Sequence, residues 1–361
     1  MIAHTGAPFE APSTERIDRI LMYPNPVSYK SAGMQERMYS IEDATGIRVE
    51  IIASDASPER RADRLYQAAK KLGPTTLFVV DSGDGGANEV VAKIFSNPAI
   101  DTINPEARKS PVLFSAGGRA NDTPLGLNSA WHLRSPGRVL TSAHMRIADA
   151  HPLKITGAYR GGEGKVSVIA NGYWGLGASA AGARDLNLQK GALKELEAEN
   201  FGKYRRAVRE IGIVVRAALK EPSFDLEDHF WKPDSNSTQL LHNVVGFTVA
   251  NGPRMAEHGR WPEQSLLDPK AGVNILRSCF DGAGRFPALA GAMARLKVGR
   301  LAAEPITLEQ NNPTLAYTIE PRDGAQVLMQ FDGETAPAPR HFEISAAPSF
   351  RVVTTRPSKN T

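Results

Sequence analysis

A carboxylate set among glycines is the part of this chain best suited to chemistry: Ser82-Gly83-Asp84-Gly85-Gly86. Glycines let backbone N–H groups approach an anion closely. A carboxylate beside a polyphosphate sits where Mg2+ or a reacting hydroxyl would be. The stretch Thr75 to Ile94 frames this turn. Thr76 to Val80 is an apolar, β-branched run, the pattern of a buried strand. From Ala87 the pattern becomes helical, with Val90, Val91 and Ile94 on one face. Strand, glycine turn and helix is how an α/β protein presents amides to a phosphate, although βα turns also carry glycine for steric reasons alone.

Two more strand ends carry polar loops. Ile17 to Tyr23 predicts a first strand that runs into Pro24-Asn25-Pro26-Val27-Ser28-Tyr29-Lys30-Ser31, where proline on both sides of Asn25 stops it. Arg48 to Ser54 predicts a second strand. Ser57 then caps a helix with Pro58 at its first position, an apolar stripe of Ala62, Leu65, Ala68, Ala69 and Leu72, and Gly73 at its end. Pro111 to Phe114 predicts a fourth strand, followed by Ser115-Ala116-Gly117-Gly118-Arg119-Ala120-Asn121-Asp122. Strands alternating with helices imply a doubly wound parallel sheet, and ligands of such sheets bind outside the carboxyl ends of the strands. Three loops on one edge therefore offer Ser28 and Lys30, then amides and Asp84, then amides with Arg119, Asn121 and Asp122.

After about residue 140 the pattern changes. Met145 to Ile147, Leu153 to Tyr159 and Lys165 to Tyr173 read as short strands, and Val244 to Asn251, Gly272 to Leu276, Thr314 to Ile319 and Gln326 to Phe331 as further ones. Residues 187–221 read as helical. There Tyr204, Val208, Ile211, Val215 and Ala218 recur at helical spacing, opposite Lys203, Arg205, Arg206, Arg209, Arg216 and Lys220. The expectation is an amphipathic helix on a core, with membrane contact as the second reading. The division expected is a disordered tail over 1–16, an α/β domain over 17–140 and a β-rich domain with a helical insertion over 141–340. Strands in 341–355 are expected to return to the first domain.

Composition narrows the class. The chain has 361 residues, too many for one simple core, with 41% hydrophobic and 23% charged residues, as in a soluble globular protein. Cys279 is the only cysteine, so no intrachain disulfide forms and a cytoplasmic setting is expected. The first residues lack an apolar signal-peptide core, and no apolar run approaches the roughly 20 residues needed to span a bilayer. A net charge of +4 suits a phosphate-rich ligand or an anionic membrane surface and is too small to argue for nucleic acid. His132, His144 and His151 match no zinc spacing. Trp131, Trp174, Trp231 and Trp261 are read as core residues before lipid-pocket residues.

Asn25-Pro26-Val27-Ser28, SGDGGANEVV over 82–91, GGRAND over 117–122 and the distant Phe331-Asp332-Gly333-Glu334 resemble the diacylglycerol kinase catalytic-domain family, which includes sphingosine and ceramide kinases. Its members look like NPxSG, [GS]GDGTxNEV, GTxND and xDGE in that order. The resemblance runs from about Asp18 to Val353. It implies an NAD-kinase-like nucleotide domain followed by a β-sandwich-like domain, with ATP and Mg2+ in the cleft between them. It implies nucleotide contacts at Asn25, Pro26, Ser28, Lys30 and Ser54, and a phosphate loop of Gly83, Asp84, Gly85 and Gly86. Asn88 and Glu89 match the family's Asn-Glu, and Gly118, Arg119 and Asn121 match the next loop. Asp122 and Asp149 match a polar network near Mg2+, to which Asp84 also belongs. Asp268 falls where some bacterial members bind a structural Mg2+, although its context is DPKAG and not DGxLD. Either Asp84 or Glu334 is the implied general base.

The departures bear on substrate. Gly86 and Arg119 stand where the family has threonines, and Gly177 follows Trp174-Gly175-Leu176 where relatives often have an aspartate. In sphingosine kinases that aspartate is associated with the lipid head group, so its absence favours a head group without a free amine. The resemblance then implies an ATP-dependent lipid kinase, peripheral at the inner membrane face, with ceramide as first substrate and diacylglycerol as second. A soluble-metabolite kinase related to NAD kinases is a further reading, as is a degenerate lipid- or nucleotide-binding module. A monomer and a homodimer are both open.

Overall fold

The structure is a computed structural model that describes residues 9–10, 16–24, 32–53, 57–117, 122–128, 135–158, 165–189, 192–193, 195, 202–228, 239–255, 259–260, 265–277, 284, 286–297, 304–308, 315–322, 325–332 and 334–356. In chain order the first region holds β1 (Phe9–Glu10), β2 (Arg16–Ile17), β3 (Arg19–Pro24), α1 (Ala32–Thr45), β4 (Val49–Ile51), α2 (Pro58–Ala69), β5 (Thr76–Ser82) and α3 (Asp84–Val90). Then come α4 (Ala99–Ile103), β6 (Val112–Ala116), α5 (Asp122–Leu127), α6 (Pro136–Leu140) and β7 (Arg146–Ala150).

Strand alternation builds this region. Leu21, Tyr23, Phe78, Val80 and Phe114 enter one core with Leu65 and Ala69 of α2 and Ala87 and Val90 of α3. Their neighbours Ile20, Met22, Leu77, Val79 and Leu113 enter a second core with Met34 and Ile41 of α1 and Val139 and Leu140 of α6. A sheet buried on both faces reads as a continuous apolar run, which is why these strands are Val-, Ile- and Leu-rich. β4, β3, β5 and β6 pair in parallel in that order.

The rest of the chain forms a curled antiparallel sheet. Its elements are β8 (Leu153–Ala158), β9 (Lys165–Ala170), β10 (Tyr173–Gly177), α7 (Ala178–Leu188), α8 (Gly202–Lys220), β11 (Phe224–Asp228) and β12 (Gln239–Ala250). They continue with β15 (Lys270–Arg277), α9 (Phe286–Lys297), β16 (Glu304–Thr307), β17 (Leu315–Pro321), β18 (Leu328–Phe331), β19 (Glu334–Pro337) and β20 (His341–Ala346), while β13 (Arg254–Met255) and β14 (Gly259–Arg260) pair only with each other as a separate ribbon. A last strand, β21 (Phe350–Thr354), joins the first sheet, parallel to β6 and antiparallel to β7. The main path runs β19-β18-β10-β12-β11-β17-β20-β8-β9. Trp174, Phe247, Tyr317 and Phe342 stack at its centre with centroids 4.8–6.1 Å apart, so Trp174 is a core residue. Trp131, Trp231 and Trp261 lie outside the described residues.

Several expectations are corrected. Phe9–Glu10 pairs with Arg16–Ile17, so part of the tail expected to be disordered is a small ribbon. β7, expected in the second region, adds to the first sheet, because its antiparallel partner is β21. β20, expected to return to the first region, instead pairs with β17 and β8. Lys165 to Tyr173 is two strands broken at Asn171-Gly172. In α8 the buried side chains are Ile213, Ala217 and Ala218, whereas Val208 and Ile211 are 54% and 44% exposed. The apolar stripe read as core-facing is thus rotated outward in its middle. Small residues take the contact because α7 lies so close that a Cβ on Gly182 would stand 3.0 Å from Val214 Cγ1.

Candidate active site

The carboxyl ends of β3, β5 and β6 are level. Pro24 pairs with Asp81, and Asp81 with Ser115, so the loops that leave these strands share one edge. Asn25, Pro26, Ser28, Lys30, Ser54, Gly118, Arg119 and Asn121 lie outside the described residues. At the middle strand the expected glycine loop is nearly absent. β5 extends through Ser82, Gly83 caps with extended backbone, and α3 begins at Asp84. Gly85 and Gly86 therefore form the first helical turn. No side chain caps that turn, and the helix runs on through a π turn at Val91–Phe95. A turn without a side-chain cap leaves N–H groups for an anion.

The glycines answer to sterics as well. A Cβ on Gly86 would stand 1.9 Å from Ser82 Oγ, so the hydroxyl of Ser82 occupies the place of a side chain at 86. With Ser82 in this rotamer, Gly86 suits the space where the family pattern has threonine. A Cβ on Gly117 would collide with the Asp81 backbone at 2.4 Å, which lets the β6 end close onto the β5 end.

Asp84 is buried and bridges two loops. Its Oδ2 accepts the N–H of Asp122 at 3.0 Å and its Oδ1 that of Thr123 at 2.8 Å, so it caps α5 from outside. Burial pushes its carboxyl above the usual range, against the pull of these hydrogen bonds.

A second buried carboxylate comes from the other sheet. Asp332, at φ 46, ends β18 in the turn to β19. It accepts the N–H groups of Asn171 at 2.5 Å, Gly172 at 2.9 Å and Tyr173 at 3.1 Å. Those amides belong to the step from β9, at one end of the sheet path, to β10, near the other, so Asp332 staples the curled sheet across its seam. Gly172 fits closely there, since a Cβ would lie 3.3 Å from Asp332 Oδ1. Burial, aided by the negative charge of Asp84, pushes Asp332 up to about 7. The staple aims Glu334, which is exposed and whose Oε1 lies 3.0 Å from where a Cβ on Gly85 would be. The structure thus brings Glu334 over the first turn of α3, beside Asp84.

Other predicted residues divide. Asn88 lies one turn beyond Asp84 on the same face of α3, buried, and its Oδ1 has no partner. Glu89 instead pairs with Arg61 of α2 at 3.1 Å, a tie between helices, because it lies on the face turned to α2. Asp149 and Asp268 meet at His151, whose ring burial holds below its ordinary value despite the two carboxylates. Among the described residues no three acidic, His or Cys side chains converge to hold a metal, so Asp84, Asp122, Asp149 and Asp268 do not form one cage. Mg2+ in phosphoryl transfer takes only one or two carboxylates plus phosphate oxygens and water, and adjoining Asp84 and Asp122 with the orphaned Asn88 Oδ1 fit that demand.

Sequence reasoning missed two residues here. Asp81 is fully buried, and Arg37 of α1 clamps both its oxygens, Nε to Oδ1 at 2.6 Å and Nη2 to Oδ2 at 2.8 Å. A charge inside the apolar run of β5 was the available signal. Asp332 stands in the motif that names Glu334, and Asn171-Gly172 is a strong turn signal inside the run expected to be one strand.

No family model matches this sequence, and no curated protein matches it. The fold does have counterparts among solved structures. Two structures of a protein from Bacillus anthracis str. Sterne, provisionally assigned as a diacylglycerol kinase, superpose with TM-scores of 0.58 and 0.59 at 14% and 13% identity. The first covers 93% of this chain and 96% of that one, the second 98% of each. A third, described as a diacylglycerol kinase from the same organism, gives 0.54 at 13% identity over 93% and 96% of the two chains. At such identities the likeness establishes the fold: a parallel α/β sheet and a curled antiparallel sheet over essentially the whole chain.

Proposed function

We propose that this chain is an ATP-dependent lipid kinase that phosphorylates the primary hydroxyl of a membrane lipid. The observation that carries the reading is the meeting of Glu334, from the curled sheet, with the uncapped turn Asp84–Gly86 at the end of β5. A likeness in fold to diacylglycerol kinases supports it. In such chemistry the transition state is loose and in line, and the protein positions groups and neutralises charge. The amides of the first turn of α3 would hold phosphate oxygens, and Asp84 with Asp122 would hold Mg2+, which supplies charge neutralisation on the phosphates. Glu334, exposed and unburdened by a cap, is the better candidate to accept the hydroxyl proton, since both oxygens of Asp84 already accept N–H groups.

For the acceptor, ceramide and diacylglycerol are the two candidates. The missing aspartate at 177 carries less weight than its type suggests. Gly177 has φ +68, and a Cβ there would stand 2.7 Å from Val245 O, so the backbone itself calls for glycine. The structural neighbours' assignment speaks for diacylglycerol. Among the described residues no helix is long and apolar enough to cross a membrane, so lipid would be met at a surface. A phosphorylation panel of ceramide, sphingosine, diacylglycerol and monoacylglycerol with labelled ATP and Mg2+ tests the reading. Transfer to a neutral lipid supports it. Transfer only to soluble metabolites, or ATP binding without transfer to any acceptor, defeats it.

A further inference from the structure

We infer that the outward face of α8 is a docking surface for an anionic lipid bilayer. The observation is a pair of parallel stripes on one exposed helix face. Arg205, Arg209, Arg216 and Lys220 recur at helical spacing and are exposed. Beside them Val208 and Ile211 are 54% and 44% exposed, and Leu188 at the end of adjoining α7 is 79% exposed. Apolar side chains of this size in water cost free energy that their burial elsewhere would recover. Ile213, Ala217 and Ala218 already satisfy the core on the opposite face, so packing within the chain does not explain Val208 and Ile211.

Charge selects the occupant. Gly202–Lys220 holds six basic side chains against one acid, Glu210, and that acid is spent on Arg206 at 2.7 Å. Arg209, Arg216 and Lys220 make no ion pair among the described residues. A second copy of the chain would set one basic stripe against another, which repels. An anionic bilayer takes both stripes at once: apolar side chains enter the acyl boundary while arginine and lysine meet the head groups. Position suits the task. α8 packs on α7, and α7 packs on β18 and β19, the hairpin that carries Asp332 and Glu334. The docking face is therefore about one helix layer from the hairpin of the candidate site. For its purpose this inference rests on the lipid-kinase reading, but binding is measurable without turnover.

The test is co-sedimentation of the full chain with vesicles of phosphatidylcholine alone and with phosphatidylglycerol added. The wild type is expected to bind only the anionic vesicles. With about fivefold per basic residue near such a surface, Arg209→Glu/Arg216→Glu should weaken binding about 30-fold or more. Val208→Ser/Ile211→Ser should weaken it about tenfold, and Arg48→Glu/Lys70→Glu, the same charge change elsewhere, should leave it within about threefold. All variants should phosphorylate a short-chain soluble lipid equally. Undiminished vesicle binding by Arg209→Glu/Arg216→Glu, equal binding to neutral vesicles, or a dimer that Val208→Ser/Ile211→Ser dissociates would overturn the inference. Helix-dependent vesicle binding without phosphorylation of any lipid would uphold the docking surface and remove the kinase reading alone.

Discussion

The two turns that meet at the candidate site hold their carboxylates in opposite ways. At the end of β5 the chain passes straight from a parallel strand into α3, and Asp84 reaches across to the amides of Asp122 and Thr123 in another loop. At the end of β18 the chain turns back on itself, and Asp332 is held by three amides of its own sheet. Asp84 links the end of β5 to the start of α5, whereas Asp332 links the sheet to itself and leaves Glu334, two residues on, exposed. Residues that look alike in sequence, an aspartate before glycine in each turn, divide into one that ties two loops together and one that ties a sheet to itself.

Substitutions can break this division. Glu334→Gln should lower phosphoryl transfer by about 10²–10⁴ with an unchanged melting temperature, the signature of a group that acts only on the reacting hydroxyl. Asp84→Asn should lose transfer to a similar extent and also melt earlier, because α5 loses a charged cap; equal melting would separate Asp84 from that structural role.

Arg37→Ala tests the support beneath the turn at the end of β5. It leaves Asp81 buried without its cation and should cost about 3–5 kcal/mol in urea unfolding. A loss below about 1 kcal/mol would show that the clamp does not hold the end of β5.

Asp332 gives a pH signature. Its folded value of about 7 lies above the ordinary 3.8, so the folded chain keeps this proton longer than the unfolded one. The stabilisation is whole below about pH 4 and is lost as pH rises through about 7. Wild type should therefore lose about 5 °C more than Asp332→Asn between pH 5 and 8 in parallel melts. Parallel curves for the two proteins would place the titration elsewhere.

The mildest effects come from the edges of the β5 turn. Gly86→Ala should cost about 1–3 kcal/mol by collision with Ser82 Oγ, and Ser82→Gly in the same chain should restore it, measured by thermal melts. Arg61→Ala, which leaves half-buried Glu89 without this arginine, should cost about 1 kcal/mol.

Much of the first sheet was legible because its signals are local. Apolar runs, Ser57 with Pro58, and glycines after strands are set by backbone and capping energetics that neighbouring residues decide. The curled sheet was less legible. β9 and β10 are consecutive in sequence yet lie far apart along the sheet path, and only the closing of the sheet brings Asn171 and Asp332 together. Helix α8 failed for a related reason. Periodicity gives a helix its faces, but whether Val208 or Ala217 turns inward depends on how closely α7 approaches.

Sequence alone determined the kinds of groups at the site and their order along the chain: a glycine-flanked Asp84, the Asn88-Glu89 pair, and Glu334 far downstream. Tertiary structure decided which of them meet. It set Glu334 over Gly85, gave Asp84 to α5 and Glu89 to Arg61, and buried Asp81 against Arg37. The physical reason is one of range. Turn and capping preferences act over a few residues, whereas the approach of two carboxylates some 250 positions apart is fixed by the packing of two sheets.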